Sequence, residues 1–297
     1  MSTEQEGFMR LKRFPVYLIA IVSLVVLLTT LSPGQTDPNA QLRFAQVANG
    51  QTGQDWWVTT LIISNPDSSA REIRIESYEG VTDAGQPVPL ALGFKTTCSG
   101  GSTADSYVLR GDGTCKFESS ATGGLKAGWL RVTEKNGHNI GGYLFYTIYR
   151  GDPATTGFPM SSVGVSPMHV CGGMSIAVVR SKSKEEDTGL AAANPYNYQV
   201  RMNISLYDSS GTLMRTLIGG TEGGLELQPL EHGALFVSQL FPELANVDNF
   251  VGKLSLTGVT SNDGVIATAL VAKGNIYGGA PVTLEDIHTE KSGSQPR

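Results

Sequence analysis

The chain has 297 residues, of which 40% are hydrophobic and only 16% are charged, and this low charged fraction excludes a charge-rich disordered protein. The 36 glycines and 14 prolines show no collagen period, so they indicate many turns rather than a fibrous protein. With 22 Lys and Arg against 27 Asp and Glu, the formal net charge is −5, and the composition argues against a nucleic-acid partner.

The N-terminus carries an export signal. Residues 16–31 are uncharged and apolar, with basic residues before them and a polar, proline-containing stretch after them. This pattern predicts a signal peptide over residues 1–34, cleaved after Gly34. The alternative is an uncleaved membrane anchor, although 16 helical residues rise about 24 Å and the hydrocarbon core is about 30 Å thick. Both alternatives place the rest of the chain in the periplasm, at the cell surface or outside the cell.

The exported part contains three cysteines, and an oxidising compartment permits a disulfide. Cys98 and Cys115 bracket a polar, glycine-rich loop, and we predict a structural bridge between them, with two reduced thiols as the alternative. Closing such a loop contributes about 3 kcal/mol in the chain-entropy model. Cys171 is left over. We expect it to be a buried small hydrophobe, with an intermolecular disulfide as the alternative.

Period-two alternation of apolar and polar residues dominates after residue 40. Residues 71–78 and 200–207 are the clearest examples, and Gly, Asn, Asp and Ser separate such runs. Short alternating segments between turn residues predict the strands of an antiparallel β protein. The only helical candidate lies at residues 237–245, where Pro242 interrupts it.

Three short sequence blocks recur in the same order along the two halves of the chain. The matched positions include Asn65 and Asn194, Tyr78 and Tyr207, and Gly128 and Gly252. We therefore predict an all-β protein with two tandem antiparallel β-sandwich domains, Ig-like or jelly-roll-like. The predicted boundaries are a linker at 35–43, domain 1 at 44–166, domain 2 at 167–284 and a flexible tail at 285–297.

This order of blocks resembles duplicated β-sandwich modules of secreted bacterial proteins of unknown function. The resemblance covers residues 44–283. It implies the two-sandwich architecture, and it brings no catalytic or binding residues with it. The second unit departs from the pattern, because residues 180–187 form a charged cluster where the first unit has an aromatic pair.

Sequence motifs for catalysis or metal binding are missing. The four histidines are dispersed without zinc spacing, and the chain has no GxSxG elbow, P-loop or Rossmann fingerprint after a strand. We therefore expect no enzymatic activity, no cofactor and no metal, with a hydrolase built on dispersed acidic residues as the less favoured alternative. The oxygens at residues 208–211 and 262–264 could hold calcium, but turns use the same residues.

Aromatic side chains are the best candidates for a binding surface. The candidates are Trp56, Trp57, Tyr143 and Tyr146. Adjacent strand residues face opposite sides, so one tryptophan is expected in the core and the other on the outside. Tyr143 shares its face with Phe145 and Tyr149, and Tyr146 lies opposite. The alternative is that these rings form only the core and a contact between the two domains.

These observations predict an exported, non-enzymatic protein with an adhesion, recognition or scaffolding role at the cell envelope or outside the cell. A glycan or a protein is the expected partner, and the membrane is involved only through residues 16–31 if they are not cleaved. The main alternative is a carbohydrate-binding module, and a further one is strand exchange through residues 35–45. The sequence leaves the ligand and the oligomeric state open.

Overall fold

The computed structural model describes residues 41–82, 84–274 and 276–285, and nearly all of their regular secondary structure is β-strand. The strands of the first half are β1 (Gln41–Thr52), β2 (Asp55–Ser64), β3 (Arg71–Val81), β4 (Pro87–Pro89), β5 (Lys95–Thr96), β6 (Ser99–Gly100), β7 (Ser106–Leu109), β8 (Thr114–Glu118), β9 (Lys126–Glu134), β10 (Gly141–Arg150) and β11 (Phe158–Val165). Alternating apolar residues and turns rich in glycine produce this pattern, as predicted.

The second half also consists mainly of β-strands. Its elements are β12 (Gly173–Ser181), β13 (Glu186–Ala193), β14 (Val200–Asp208), β15 (Leu213–Leu217), β16 (Leu225–Leu227), β17 (His232–Phe236), α1 (Val237–Leu240), a 3₁₀ helix (Pro242–Leu244), β18 (Phe250–Gly258), β19 (Ile266–Lys273), β20 (Ile276–Ala280) and β21 (Val282–Leu284). The predicted helical stretch at 237–245 is thus two short turns, and Pro242 begins the second of them.

Several predictions fall outside the described residues: the signal peptide or anchor at 1–34, most of the linker, and the tail beyond Glu285. Of the predicted linker 35–43, residues 41–43 belong to β1. In the part of the chain that the structure describes, no helix is long and apolar enough to cross a membrane.

In the first half, β1 belongs to two layers of strands. Its residues 41–49 pair with β9, which pairs with β3, while residues 50–52 pair with β2, which also pairs with β8 and β10. All these pairings are antiparallel, and β11 pairs with the far edge of β10. Apolar side chains of both layers form one buried cluster that includes Phe44, Leu61, Ile73, Leu130 and Leu144.

The second half pairs its strands in the corresponding order. β12 pairs with β13 and β18, β18 pairs with β14, and β13 also pairs with β17 and β19, which pairs with β20. The register corresponds as well, since Ile75 lies opposite Val132 in the first half and Ile204 lies opposite Leu256 in the second. Duplication of one ancestral unit stays a prediction, and this correspondence supports it.

Two glycines occupy corresponding positions for the same steric reason. A Cβ atom at Gly128 would lie 2.0 Å from the carbonyl oxygen of Tyr78, and one at Gly252 would lie 2.2 Å from that of Tyr207. No other residue fits so close to a neighbouring backbone. This close contact explains why both sequence blocks have a glycine at this position.

The two asparagines of the Asn-Pro pairs make corresponding hydrogen bonds. The Asn65 side-chain amide donates to the carbonyls of Ser69 and Arg110, and its Oδ1 accepts from the Asp67 N–H. Asn194 is fully buried and makes the same kind of bonds at the start of β14. Each asparagine therefore ties the turn after its strand to the neighbouring strand.

The two halves meet at a contact that we call the half–half contact. Ala45 and Trp129 of the first half pack against Ala193 and Ile266 of the second, and all four are fully buried. The Trp129 Nε1–H donates to the carbonyl of Leu230 at 2.9 Å. The contact therefore includes both apolar burial and a directional hydrogen bond.

A second region of the half–half contact lies between β11 and β20. The Ser161 hydroxyl donates to the Tyr277 carbonyl at 2.8 Å and accepts from the Tyr277 N–H at 3.0 Å. Leu270 and Tyr277 also pack against the core of the first half. The described residues consequently fall within one compact unit.

Candidate functional site: the aromatic face

The outward side of β2 and β10 carries a surface that we call the aromatic face. Its residues alternate along the two strands and pair across them: Trp56 with Tyr149, Val58 with Thr147, Thr60 with Phe145, and Ile62 with Tyr143. Antiparallel partners point to the same side of a sheet, so the four rings share one surface. The structure thus brings together the predicted candidates Trp56 and Tyr143.

Solvent reaches this face. The Tyr143 side chain is 55% exposed, and Trp56, Phe145 and Tyr149 are half-buried. The Tyr143 and Phe145 rings are nearly parallel, with an interplanar angle of 20° and 6.3 Å between centroids. Val58, Thr60 and Thr147 between the rings are buried, so the face presents one exposed ring and three partly exposed ones.

The other two candidates, Trp57 and Tyr146, lie on the opposite side of the same strands, away from the aromatic face. Tyr146 is 1% exposed, belongs to the first-half core, and its ring lies 5.7 Å from the half-buried Trp57 ring. Burial raises the pKa of Tyr146. Trp57 also packs edge-on against Tyr277 of the second half. Strand alternation places both rings on the core side of the sheet, where Tyr146 is fully buried and Trp57 is half-buried.

Charged pairs flank the aromatic face. At one end, the Arg150 Nε donates to Asp55 Oδ1 at 2.6 Å. On β8, which borders β2, Lys116 and Glu118 form an ion pair at 2.5 Å. A ligand lying on the rings would therefore meet donors and acceptors of hydrogen bonds at the margins.

The opposite end of the face lies at the turn after β2. Ser64 pairs with Gly141 on β10 and with Thr114 on β8, so only small side chains cover this end of the sheet. The Arg-Gly-Asp turn precedes β8, and its Asp112 is exposed and has a positive φ of 53°. This turn lies near that end of the face, because Thr114, two residues after Asp112, pairs with Ser64.

The predicted disulfide is present. Cys98 and Cys115 are bonded, with their Cα atoms 5.5 Å apart. Cys115 lies on β8 opposite Ile63 of β2, so the bridge fixes the loop before β6 to the strand that borders the aromatic face. Cys171 is a free, half-buried thiol that donates to the Gly173 carbonyl.

The two candidate calcium loops use their oxygens within their own turns. Asp208 Oδ1 accepts from the Ser210 N–H, the Ser210 hydroxyl and the Thr212 N–H, and the Ser210 hydroxyl is the largest cause of the lowered pKa of Asp208. Asp263 accepts from the N–H groups of Arg201 and Thr260. Among the described residues, no group of three or more His, Cys, Asp or Glu side chains lies close enough to hold a metal ion.

Three features of the surface and the interior escaped sequence reasoning. Trp129 is fully buried at the half–half contact although it lies on an outward strand position. Phe158 on β11 is 58% exposed, next to Arg150 of the aromatic face's β10. Tyr196 and Tyr198 stack with ring centroids 4.8 Å apart at the edge of the second half. Alternation alone does not distinguish an outward residue in solvent from one covered by another part of the chain.

The half–half contact also holds a titratable group. His232 Nε2 lies 2.8 Å from Gln46 Oε1, and burial lowers the pKa of the imidazole to about 4. The ring is therefore neutral at physiological pH.

No protein-family model and no curated protein matches the chain. Among solved structures, the chain is similar to a lectin from Pleurotus ostreatus in complex with GalNAc, at 10% identity over 86% of this chain and 79% of that chain. The TM-score is 0.19, so this similarity carries no argument.

Proposed function

We propose that the protein is an exported, non-enzymatic recognition or scaffolding protein and that the aromatic face is its binding surface. The observation that carries the proposal is the set of four rings on the outward side of two neighbouring strands, with Tyr143 more than half exposed. Aromatic side chains contribute large apolar areas at interfaces, and their edges and hydroxyl groups accept polar partners.

Export is part of this proposal. The apolar segment at residues 16–31 has the composition of a secretory signal, and the Cys98–Cys115 disulfide fits an oxidising compartment. The role at the cell envelope or outside the cell follows from these two features together.

Carbohydrate binding is the second candidate for the same face. The near-parallel Tyr143 and Phe145 rings offer stacking surfaces, and the Asp55–Arg150 pair lies at the end of the row. Sugars bind proteins by stacking on rings of this kind with polar groups nearby. A glycan ligand and a protein partner would both use the aromatic face.

A matched pair of variants tests the proposal. The face variant carries Tyr143→Ser and Phe145→Ser, and the control carries Leu213→Ser and Met214→Ser, which remove two exposed apolar side chains from β15 of the second half. Two probes are used: a glycan array, and a second copy of the full chain. Sedimentation velocity measures self-association of the full chain, in a mild non-ionic detergent because residues 16–31 are apolar.

We expect the wild-type chain to bind at least one of the two probes, the face variant to bind it about tenfold or more weakly, and the control to bind it normally. The proposal is wrong if neither probe is bound, or if the face variant binds as well as the wild type.

A further inference from the structure

The second half has a surface that corresponds to the aromatic face, and in the second half it is covered. By register, Ile62 and Tyr143 correspond to Ala191 and Thr268. Ala191 is 1% exposed and Thr268 8%, because the first half packs against this side of β13 and β19 through Ala45 and Trp129. At these positions the sheet face is therefore a protein contact in the second half, whereas in the first half Ile62 is partly exposed and Tyr143 more than half exposed.

The covering surface of the first half is a row of three side chains that we call the tryptophan row: Ala45, Trp129 and Tyr78. Trp129 pairs with Tyr78 across β9 and β3, and the two rings stack with centroids 5.2 Å apart. This row lies outward on its sheet and contacts the second half near Ala193, Ile266 and Leu230.

The second half carries a corresponding row that is open, and we call it the lysine row: Ala177, Lys253 and Tyr207. Lys253 pairs with Ala177 on β12 and with Tyr207 on β14. Its ammonium lies 4.8 Å from the centroid of the Tyr207 ring and 3.8 Å from Glu285 Oε1, with half of the side chain exposed. Ala177 and the neighbouring Val251 are also exposed.

The residue that would face each row also differs between the halves: it is Leu230 in the second half and Asp112 in the first. Ala193 pairs with His232 in the second half, and the corresponding Ser64 pairs with Thr114 in the first. Leu230 and Asp112 each lie two residues before the second member of these pairs, so they correspond to each other. Both residues have a positive φ, 61° and 53°. Trp129 donates to the backbone carbonyl of Leu230. The corresponding residue, Asp112, adds an exposed, negatively charged side chain at this turn, which suits a lysine.

The path of the chain beyond each row is compatible with the same contact. The linker after β11 runs along β1, where the Met168 N–H donates to the Arg43 carbonyl. β21 runs along β12 at the corresponding place, with Thr283 opposite Ser175. A following segment of the chain thus borders both rows: the linker after β11 borders the tryptophan row, and β21 borders the lysine row. The linker does not prevent the tryptophan row from contacting the second half, so β21 leaves room for a similar contact of the lysine row.

From these correspondences we infer that the partner of the aromatic face is a second copy of this chain, whose lysine row docks beside Tyr143 with Lys253 paired to Asp112. The inference rests on the proposed function of the aromatic face. The docked lysine row would make between two copies the same kind of contact that the tryptophan row makes within one copy. Because the lysine row and the aromatic face are different surfaces, such a contact is head-to-tail. Repeated contacts of this kind assemble copies into an open chain or a ring.

Charge reversal tests the inference directly. The variants are Lys253→Glu and Asp112→Lys in the full chain, each alone and mixed with the other, in a mild non-ionic detergent at low and at high salt. Lys184→Glu is the control, because Lys184 is an exposed lysine that donates to the neutral Asn249 side chain. Sedimentation velocity measures the association, and circular dichroism checks that each variant folds.

We expect the wild type and the control to self-associate with increasing concentration, more weakly at high salt. Each reversal alone should weaken association about tenfold or more, and the mixture should restore it, because each variant then supplies the charge that the other needs. A wild type that stays monomeric up to about 1 mM, association that survives both reversals, or a mixture that fails to recover would overturn the inference.

These outcomes separate the inference from the proposed function. If the glycan array is bound through the aromatic face while the wild type stays monomeric, the proposed function stands and the inference is wrong. If self-association depends on the charges but the face variant leaves it unchanged, the contact does not use the rings and the inference is wrong; the proposed function then fails as well unless the glycan array is bound through the aromatic face.

Discussion

The indole Nε1–H of Trp129 donates to the carbonyl oxygen of Leu230 at 2.9 Å and joins β9 of the first half to the turn before β17 of the second. The tryptophan is fully buried and stacks on Tyr78. At the corresponding register of the second half, Lys253 occupies this position above Tyr207 in solvent. Corresponding outward positions therefore carry a buried tryptophan in the first half and a half-exposed lysine in the second.

Trp129→Ala should lower the free energy of unfolding by about 3–5 kcal/mol, because it removes a large buried side chain and leaves the cavity at the half–half contact. Urea unfolding followed by circular dichroism measures the loss. Trp56→Ala is the matched control, since Trp56 is half-buried on the aromatic face, and it should cost less than half as much. Equal losses would contradict the placement of Trp129.

Acidification should weaken the half–half contact through His232. The pKa of this imidazole is about 4 in the folded protein and 6.5 in the reference state, so the unfolded chain binds more protons between these values. Stability therefore falls as the pH drops from 6.5 to 4, and the His232 contribution to that fall is at most about 3 kcal/mol.

Unfolding in urea at several pH values between 4 and 7 measures this effect. His232→Gln, which can still face Gln46, removes the titrating group, so the variant should lose this part of the pH dependence. If the wild type and the variant lose stability in parallel over this range, His232 does not titrate as described.

Loss of the Cys98–Cys115 bridge should lower the free energy of unfolding by about 3 kcal/mol, since the bridge closes a loop of 17 residues in the unfolded chain. The double variant Cys98→Ser and Cys115→Ser is compared with Cys171→Ser, which removes the free thiol and leaves the bridge. A stability unchanged by the double substitution would argue against a structural role for the disulfide.

Asn194→Ala should destabilise the second half by about 2 kcal/mol or more. Its side-chain amide donates to the carbonyls of Tyr198 and Gln228, and the substitution leaves these buried or half-buried groups without that donor. Asn262→Ala, on an exposed turn, should change stability by no more than about 0.5 kcal/mol. Thermal unfolding of both variants decides whether Asn194 holds its turn.

Strand alternation predicted the sides of β2 and β10 correctly. It placed Tyr143 with Phe145 and Tyr149 on one side and Tyr146 on the other, because neighbouring strand residues point in opposite directions. The disulfide was also predictable from its loop. These features depend on local geometry, which a single sequence carries.

The half–half contact was not predictable in the same way. Trp129 and Lys253 occupy corresponding outward positions, and nothing in the local pattern says that the first is covered by another part of the chain. The correspondence of Leu230 with Asp112 required the pairing of β8 and β17 with their neighbours. Long-range packing decides such features, and single-sequence periodicity does not contain it.

Radical labelling of aromatic side chains tests the central claim most directly, because it reports which rings a partner covers. Tyr143 and Tyr198 are both exposed in one copy, so both should be labelled in dilute protein. With increasing protein concentration, or with a glycan that the array identifies, Tyr143 should become protected while Tyr198 stays labelled. Equal labelling of Tyr143 with and without its partners would contradict the claim that the aromatic face is the binding surface.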